Sequence, residues 1–355
     1  MKNFIKGTVF ALIILIIFVF LNRLYNPCGS LGEWYAVTGV TEYYKQPKHT
    51  IDILYVGNSN VYTGISPLEM YEKNGVTGYA YSTPEQKVWT SYYAIKEALK
   101  TQKPKVIFLE AGEFFSNEND QSEQGKRKAI DPLKLSKNKL DMINDDVYKF
   151  TTFDKLSCLI PILRYHSRWN QLNEYDIKKF ISNKEYSYFG YIPNKGVKSY
   201  NYKISDDEKR KIEDEIVDDG DLSKIPSTVK NYLSKIMDVC NENNIQLVII
   251  SMPAPKSWSE EKHNIVETFA IDNNLKFIDL NYDDDISIDW NTDSQDSGTH
   301  LNLYGAEKVA NYLTNYINNN FKLEDHRNDE NYKNWNEKIE KYEETKEKNK
   351  VGEDN

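Results

Sequence analysis

One serine near the start of the chain follows an apolar run of strand length. Ser59 lies in YVGNSNVYTGI, residues 55–65, and residues 51–56 are mostly apolar. A Gly-Asn-Ser-Asn turn at this point would present a hydroxyl at the end of a strand. Serine and asparagine also suit turns for conformational reasons alone. The stretch by itself therefore allows two interpretations, a reactive serine or a turn serine.

A base for such a serine stands near the other end of the chain. Residues 289–313 read DWNTDSQDSGTHLNLYGAEKVANYL, with His300 just before the last predicted helix, for which Asn302 is a good N-cap. A carboxylate that accepts from one imidazole nitrogen fixes the tautomer and frees the other nitrogen to take a proton. We predict Asp296 as this carboxylate and keep Asp293 as the alternative, because a loop can place either.

The other histidines stand in less suitable places, before the first strand, in a predicted helix and in the tail: His49, His263 and His326. His166, in RYHSRW, is the one competitor, and we interpret it as facing the site from an insertion or as buried within it. We predict that Ser59 and His300 act together as nucleophile and base. A turn serine and a capping loop with a surface histidine would explain each half separately.

Strands and helices that could position these residues alternate along the chain. Strands are predicted at residues 51–56, 77–81, 105–110, 245–251 and 276–280, and helices at 66–73, 85–100, 227–241, 259–273 and 303–319. This alternation is typical of an α/β fold with three layers, α/β/α, around a mostly parallel sheet. Functional residues of such sheets gather outside the carboxyl ends of the strands, so Ser59 and the Asp/His loop belong on one edge.

The alternation stops between residues 111 and 222. A structureless loop of that length is rare inside a compact domain, so we predict a largely helical insertion that packs as a cap. Its aromatic residues either line a sugar or polymer groove or form the insertion's own core: Trp169, Tyr186, Tyr188, Phe189 and Tyr191. The predicted division is an anchor at 1–27, an α/β domain in two parts at 28–110 and 223–321, the insertion at 111–222, and a charged tail at 322–355.

The first residues carry a possible membrane anchor. Lys2 and Lys6 precede an uncharged apolar run over residues 7–21, and a segment from Phe4 to Tyr25 approaches bilayer length. Only one basic residue, Arg23, follows the apolar run, whereas Lys2, Lys6 and the N-terminal amine precede it. This charge difference favours an orientation with the N-terminus inside the cell and the rest of the chain outside. A cleavable signal peptide is the alternative. We favour an uncleaved anchor, because no small-x-small site directly follows the run, and expect a single-pass protein of the cell membrane.

Composition excludes some classes of partner. The net charge of −9 argues against nucleic-acid binding, which needs a basic surface. The three cysteines, Cys28, Cys158 and Cys240, offer neither a disulfide framework nor metal-ligand spacing. We expect no metal and no organic cofactor. The tail is dense in both charge signs, and we expect a solvated helix followed by about ten disordered residues.

The motifs resemble a known hydrolase superfamily. The G-x-S-x-G elbow of α/β-hydrolases does not fit, because Val61 replaces its second glycine. VGNSNVYTGISP and DSGTHLNLYGAEKV resemble the first and last blocks of the SGNH (GDSL-type) hydrolases, which have a flavodoxin-like fold. Four further segments resemble the membrane-anchored bacterial branch of this superfamily, which is related to the teichoic-acid D-alanylation protein DltD and to alginate O-acetylation proteins. These segments are GYAYSTPEQ, QKPKVIFLEAGEFF, LIPILRYHSRWNQL and DLNYDDDISIDWNTD. The resemblance covers roughly residues 50–320.

Two features depart from the superfamily's pattern. The Asp296-to-His300 spacing is one residue longer than Asp-x-x-His, so Ser297 stands where the simple motif has its aspartate. EAGEFF, residues 110–115, lacks the asparagine that the superfamily uses to bind the oxyanion. The oxyanion would then rely on the backbone N–H of Ser59, helped by Asn60 or Gln86. Turn or capping roles for Asn60 and Gln86 are equally open.

The resemblance implies a membrane-anchored, extracytoplasmic serine esterase or acyltransferase. Its substrates would be acyl groups of cell-wall or exported polysaccharide, and a membrane-bound O-acyltransferase would be a possible partner. The alternative is a non-catalytic binding or assembly factor in a cell-envelope polymer acylation pathway, with a vestigial triad. The missing oxyanion asparagine keeps that alternative open.

Overall fold

The centre of the molecule is a parallel β-sheet. The computed structural model describes residues 1–28, 34–181, 185–201, 220–283 and 285–348. The five strands are β1 (Ile53–Gly57), β2 (Gly78–Ser82), β3 (Val106–Glu110), β4 (Gln246–Ser251) and β5 (Lys276–Asp279). They lie in the order β2-β1-β3-β4-β5, and every neighbouring pair is parallel. This is the flavodoxin-like order of a doubly wound sheet, and the predicted α/β fold is confirmed.

Helices surround the sheet and extend beyond it. In chain order the α-helices of the described residues are α1 (Lys2–Tyr25), α2 (Thr38–Tyr43), α3 (Ser59–Gly64), α4 (Pro67–Asn74), α5 (Val88–Ala98), α6 (Glu123–Ile130), α7 (Lys137–Asn144), α8 (Thr152–Leu159), α9 (Ile162–Tyr165), α10 (Glu174–Lys178), α11 (Ser227–Glu242), α12 (Glu260–Asp272), α13 (Leu303–Asn320) and α14 (Lys333–Lys348). The helices predicted beside the strands match α4, α5, α11, α12 and α13 in type.

Both faces of the sheet are buried, which produces the three layers. Alternate residues of a strand point to opposite faces. Leu54 and Val56 therefore join one apolar cluster, in which α5, α11 and α12 cover the sheet. Ile53 and Tyr55 join the other, where α13 covers the sheet together with side chains of α3 and α4. Burial on both sides explains why the strands read as continuous apolar runs.

Two segments outside the predicted strands and helices pack against the core. The segment before β1 contains α2, whose Val40 and Tyr43 are buried. The charged tail contains α14, in which Trp335 and Tyr342 are each 1% exposed. Trp335, Ile339 and Tyr342 recur at helical spacing, so charged residues on the other face concealed an amphipathic helix. Of the ten residues expected to be disordered, 349–355 lie outside the described part, whereas 346–348 belong to α14.

The insertion contains α6 to α10, although the domain boundaries drawn from the sequence stay a prediction. Phe189 and Tyr191 are fully buried and belong to the main core. The Phe189 ring stacks on Trp335 with 3.4 Å between centroids. Trp169, in contrast, is 70% exposed. These aromatic residues therefore form neither a single groove nor a separate core.

The N-terminal helix stands apart from the sheet. α1 is the one helix of the described residues that is long and apolar enough to cross a membrane, and none of its residues is buried. A signal sequence would have the same length and composition.

Candidate active site

The turn after β1 holds Ser59 at the carboxyl edge of the sheet. Gly57 is required there, because a Cβ atom would lie 2.5 Å from Glu110 Cβ. Asn58 then caps α3, since its side-chain oxygen accepts from the backbone N–H of Asn60 at 2.9 Å. Ser59 is the first residue of α3, next to the point between β1 and β3 where the strand order reverses. Ligand sites of open α/β sheets lie at such points.

The loop between β5 and α13 holds His300 by a compact local structure. Ser297 and Gly298 have left-handed backbone angles, with φ of 63° and 88°. They turn the chain back, so that Asp296 Oδ1 accepts from the backbone N–H groups of Thr299 at 3.2 Å and His300 at 2.7 Å. This extra residue in the turn is the physical reason that a spacing one longer than Asp-x-x-His still brings the two side chains together.

The two ends of the chain meet in a chain of hydrogen bonds. His300 Nε2 lies 2.7 Å from Ser59 Oγ, and His300 Nδ1 lies 2.5 Å from Asp296 Oδ2. All three residues are partly exposed. The distance between Ser59 Oγ and His300 Nε2 is short enough for proton transfer from serine to histidine, and the Asp296 carboxylate orients the imidazole ring.

Asp293 occupies a different place. Its carboxylate accepts from Lys308 Nζ at 2.6 Å and from the backbone N–H of Asp289 at 2.7 Å, and the residue is 2% exposed. Asn302 caps α13 as predicted, by accepting from the N–H groups of Tyr304 and Gly305. Asp293 thus stabilises the loop, while Asp296 contacts His300.

The candidate oxyanion donors Asn60 and Gln86 differ in how free their side chains are. Asn60 follows Ser59, and in the described residues its side chain makes no hydrogen bond. Gln86 is 1% exposed, and its amide is already bonded to Thr83 Oγ1 at 3.0 Å and Ser91 Oγ at 3.2 Å. The Ser59 N–H donates to no acceptor in the part of the chain that the structure describes, so it is available to a substrate oxygen.

Other histidines also have carboxylate partners. His263 Nδ1 lies 2.8 Å from Asp279 Oδ2, and His326 Nε2 lies 2.7 Å from Asp52 Oδ2. An acidic partner is therefore not unique to His300, although His263 lies on α12 and His326 in the tail rather than in a loop at the carboxyl edge of the sheet. His166 is exposed on a 3-10 helix that contacts α1. Among the described histidines, His300 alone contacts a serine hydroxyl.

Tyr62 is a further residue of the site, and the sequence reasoning missed it. Burial raises the pKa of its phenol to about 12, with the Asp296 charge adding to the rise and a hydrogen bond with Ser59 opposing it. The phenol is therefore a protonated neighbour of the serine hydroxyl at neutral pH. Ser59 and Tyr62 are three residues apart on α3, a spacing that puts both side chains on one face; the helix assignment was the missing signal.

Acidic residues at the end of β3 and just after it support the serine turn. Glu113 accepts from Asn58 Nδ2 at 3.0 Å and from Lys87 Nζ at 2.6 Å. Glu110 is 3% exposed, and burial together with the charge of Glu113 raises its pKa to about 8. Its Oε1 accepts from the Gly112 N–H at 2.9 Å, and its Oε2 has no hydrogen-bond partner among the described residues. No group of three or more His, Cys, Asp or Glu side chains in the described ranges could hold a metal ion.

Comparison with known proteins yields distant similarity to solved structures. No protein-family profile matches the chain. No curated protein matches it either. Among solved structures the chain is similar to that of a "putative acylhydrolase" from Bacteroides fragilis, with 11% sequence identity and a TM-score of 0.37. The match covers 80% of this chain and 95% of that one.

Proposed function

We propose that this chain is a serine esterase or acyltransferase of the SGNH type. Ser59 is the nucleophile, His300 the general base, and Asp296 the carboxylate that orients His300. The observation that carries the proposal is the 2.7 Å contact between Ser59 Oγ and His300 Nε2, formed by residues far apart in sequence. A turn serine and a capping loop with no joint function would not need to meet at this distance.

The chemistry requires two acyl transfers. Ser59 Oγ attacks the acyl carbonyl carbon while its proton passes to His300 Nε2. The tetrahedral intermediate collapses, and His300 returns the proton to the leaving alcohol oxygen. Water or a sugar hydroxyl then attacks the acyl-serine and gives its proton to His300. His300 returns that proton to Ser59 Oγ as the bond between Oγ and the acyl carbon breaks. Asp296 holds the imidazole in the tautomer that keeps Nε2 free to accept.

The oxyanion of the intermediate needs hydrogen-bond donors. The Ser59 N–H is the first candidate because no described acceptor uses it. The Tyr62 hydroxyl is the second, since it lies beside Ser59 and stays protonated well above neutral pH. Gln86 is less suited than the sequence indicated, because Thr83 and Ser91 already occupy its amide. Tyr62 would thus replace the asparagine that EAGEFF lacks.

The cellular setting forms part of the proposal. Retained as an anchor, α1 would hold the catalytic part outside the cytoplasm, as its flanking charges favour. The partial exposure of the triad suits acyl groups carried on a large polymer, and the resembling anchored families suggest cell-wall or exported polysaccharide. A membrane-bound O-acyltransferase is the proposed partner.

A fluorophosphonate probe tests the nucleophile, because it reacts covalently with activated serines. We expect the full-length protein to be labelled, and we expect Ser59→Ala to abolish labelling. His300→Ala should slow labelling by about 10³-fold or more, since serine is a weak nucleophile without a base. Folding of each variant is checked by its circular dichroism spectrum and melting temperature.

Two outcomes would contradict the assignment. Labelling that persists in Ser59→Ala would place the reactive serine elsewhere. A folded wild-type protein that resists the probe would favour the non-catalytic binding or assembly role.

A further inference from the structure

Apolar side chains are exposed on the segment that receives the end of α1. We call residues 162–181, which include α9 and α10, the collar. Its exposed apolar residues are Trp169, Ile177 and Ile181, with exposed fractions of 70%, 60% and 83%. Trp169 lies on a 3-10 helix and Ile177 on α10, and both elements contact α1. Exposed apolar residues grouped in this way mark an interaction surface more strongly than scattered ones do.

The collar is bound to the last turn of α1 by specific contacts. The backbone N–H of Ile162 donates to Asn22 Oδ1 at 3.1 Å. Arg168 donates to the carbonyl of Tyr25 at 2.8 Å, and Lys179 donates to that of Asn26 at 2.5 Å. These side chains satisfy carbonyls that the end of a helix leaves unpaired. The collar therefore has a fixed position relative to the end of α1.

We propose that the collar is a membrane-docking surface that lies in the headgroup layer around the end of α1. A helix of 24 residues is about 36 Å long at 1.5 Å per residue, whereas the hydrocarbon core is about 30 Å thick. When α1 spans the bilayer, its last turn reaches the headgroups, and the residues bound to that turn lie at the same depth. Trp169 then meets the layer in which tryptophan is enriched.

Charge around the collar complements an anionic bilayer. A cavity of about 460 Å³ opens beside the end of α1, and five cationic side chains line it against two carboxylates. The cations are Arg23, Lys45, Lys134, Lys178 and Lys179, and the carboxylates are Glu42 and Asp131. Within the described residues Arg23, Lys45 and Lys134 form no ion pair. Lipid phosphates would supply the missing counter-charge.

Depth-dependent quenching tests the proposal on the full-length chain. Cys28→Ser leaves Cys158 and Cys240, which are 0% and 1% exposed, so one added cysteine can be labelled selectively with the fluorophore NBD. Ile177→Cys reports on the collar. Ile271→Cys, on α12, is the matched control because that isoleucine is 66% exposed and α12 packs on β5, whereas α2, which lines the cavity beside α1, packs on β2 at the opposite edge of the sheet. Ile13→Cys reports the middle of α1.

We expect vesicles of phosphatidylcholine and phosphatidylglycerol with a doxyl label on the acyl chain to quench NBD at positions 13 and 177. Position 271 should keep its emission. Equal emission at positions 177 and 271 would overturn the proposal. An unquenched label at position 13 would do so as well, because the collar reaches the headgroups only if α1 spans the bilayer. A label at Trp169→Cys, also on an exposed site, repeats the measurement. The readout does not involve Ser59, so the result is independent of the proposed chemistry.

Discussion

At the scale of single residues, the choice of the triad carboxylate can be tested by one pair of isosteric variants. Asp296→Asn puts a side-chain N–H or a weaker acceptor against His300 Nδ1, which favours the wrong tautomer. We expect fluorophosphonate labelling to slow by up to about 10⁴-fold, the cost known for this change in a Ser-His-Asp triad. Asp293→Asn weakens the contact with Lys308 and should lower the melting temperature while labelling continues. Slow labelling in Asp293→Asn with normal labelling in Asp296→Asn would reverse the assignment.

Glu110 should make stability fall as pH rises. Its pKa is 4.5 in the unfolded chain and, through burial and the nearby charge of Glu113, about 8 in the folded state. Below pH 4.5 both states are protonated. Between pH 4.5 and 8 the unfolded state loses its proton while the folded state keeps it, so the free energy of unfolding decreases by a few kcal/mol. Glu110→Gln removes this titration but can still accept from the Gly112 N–H. We expect its melting temperature to fall less between these pH values than that of the wild type; parallel curves would contradict the assignment.

The residues that the sequence could predict are those marked by local motifs. Ser59 follows a recognisable strand, and Asp296 and His300 share one loop, so each half was visible before the fold was known. Tyr62 and Glu113 were not predicted, because their roles depend on the helix that begins at Ser59 and on the adjacency of β1 and β3. Neither relation is a property of a single short stretch.

At the scale of elements, the loop that carries His300 depends on two left-handed residues. Gly298→Ala would strain the backbone at φ 88° and make its Cβ clash with the ring of Tyr200. The loop would have to shift to relieve this strain and clash, and His300 would move with it. A displacement of about 1 Å can slow a reaction by about 10²-fold. We therefore expect slower fluorophosphonate labelling in a folded protein. Ser297→Gly is the control, because glycine adopts its φ of 63° without strain and labelling should stay normal. Equal labelling in both variants would show that the loop geometry is not limiting.

Prediction of elements succeeded where one pattern dominated. The strand at Val106–Glu110 was evident because β-branched and aromatic residues form an unbroken apolar run. The packing of α14 was harder to predict, because its few apolar residues are dispersed among charged ones. They can be recognised as core residues only when the surface against which they pack is known. Helix ends also differed from prediction, as for α5, which begins at Val88 and not at Glu85.

At the scale of the whole molecule, the winding of the sheet explains how distant residues meet. β1 lies between β2 and β3. From β1 the chain runs to β2 on one side and then crosses to β3 on the other, so Ser59 lies where the strand order reverses. β5 lies at the far edge, yet α13 packs against α3 and α4 on the β1 side. The long loop before α13 therefore returns along the carboxyl edge of the sheet and delivers His300 to Ser59.

The tail helix α14 packs against α4, and loss of this packing should lower the free energy of unfolding. Trp335 stacks on Phe189 and lies 4.9 Å from the ring of Tyr71, so α14 ties the insertion to α4. Trp335→Ala should lower the free energy of unfolding by about 3–5 kcal/mol, the cost of a buried aromatic cavity. The measurement is the melting temperature and denaturant midpoint in detergent, with the exposed Glu337→Ala as the control on the same helix. Labelling of the folded fraction should persist, because α14 does not contact the triad. Equal stability of the two variants would mean that α14 is not part of the cooperative core, and the tail would then be the solvated segment that its charge pattern indicated.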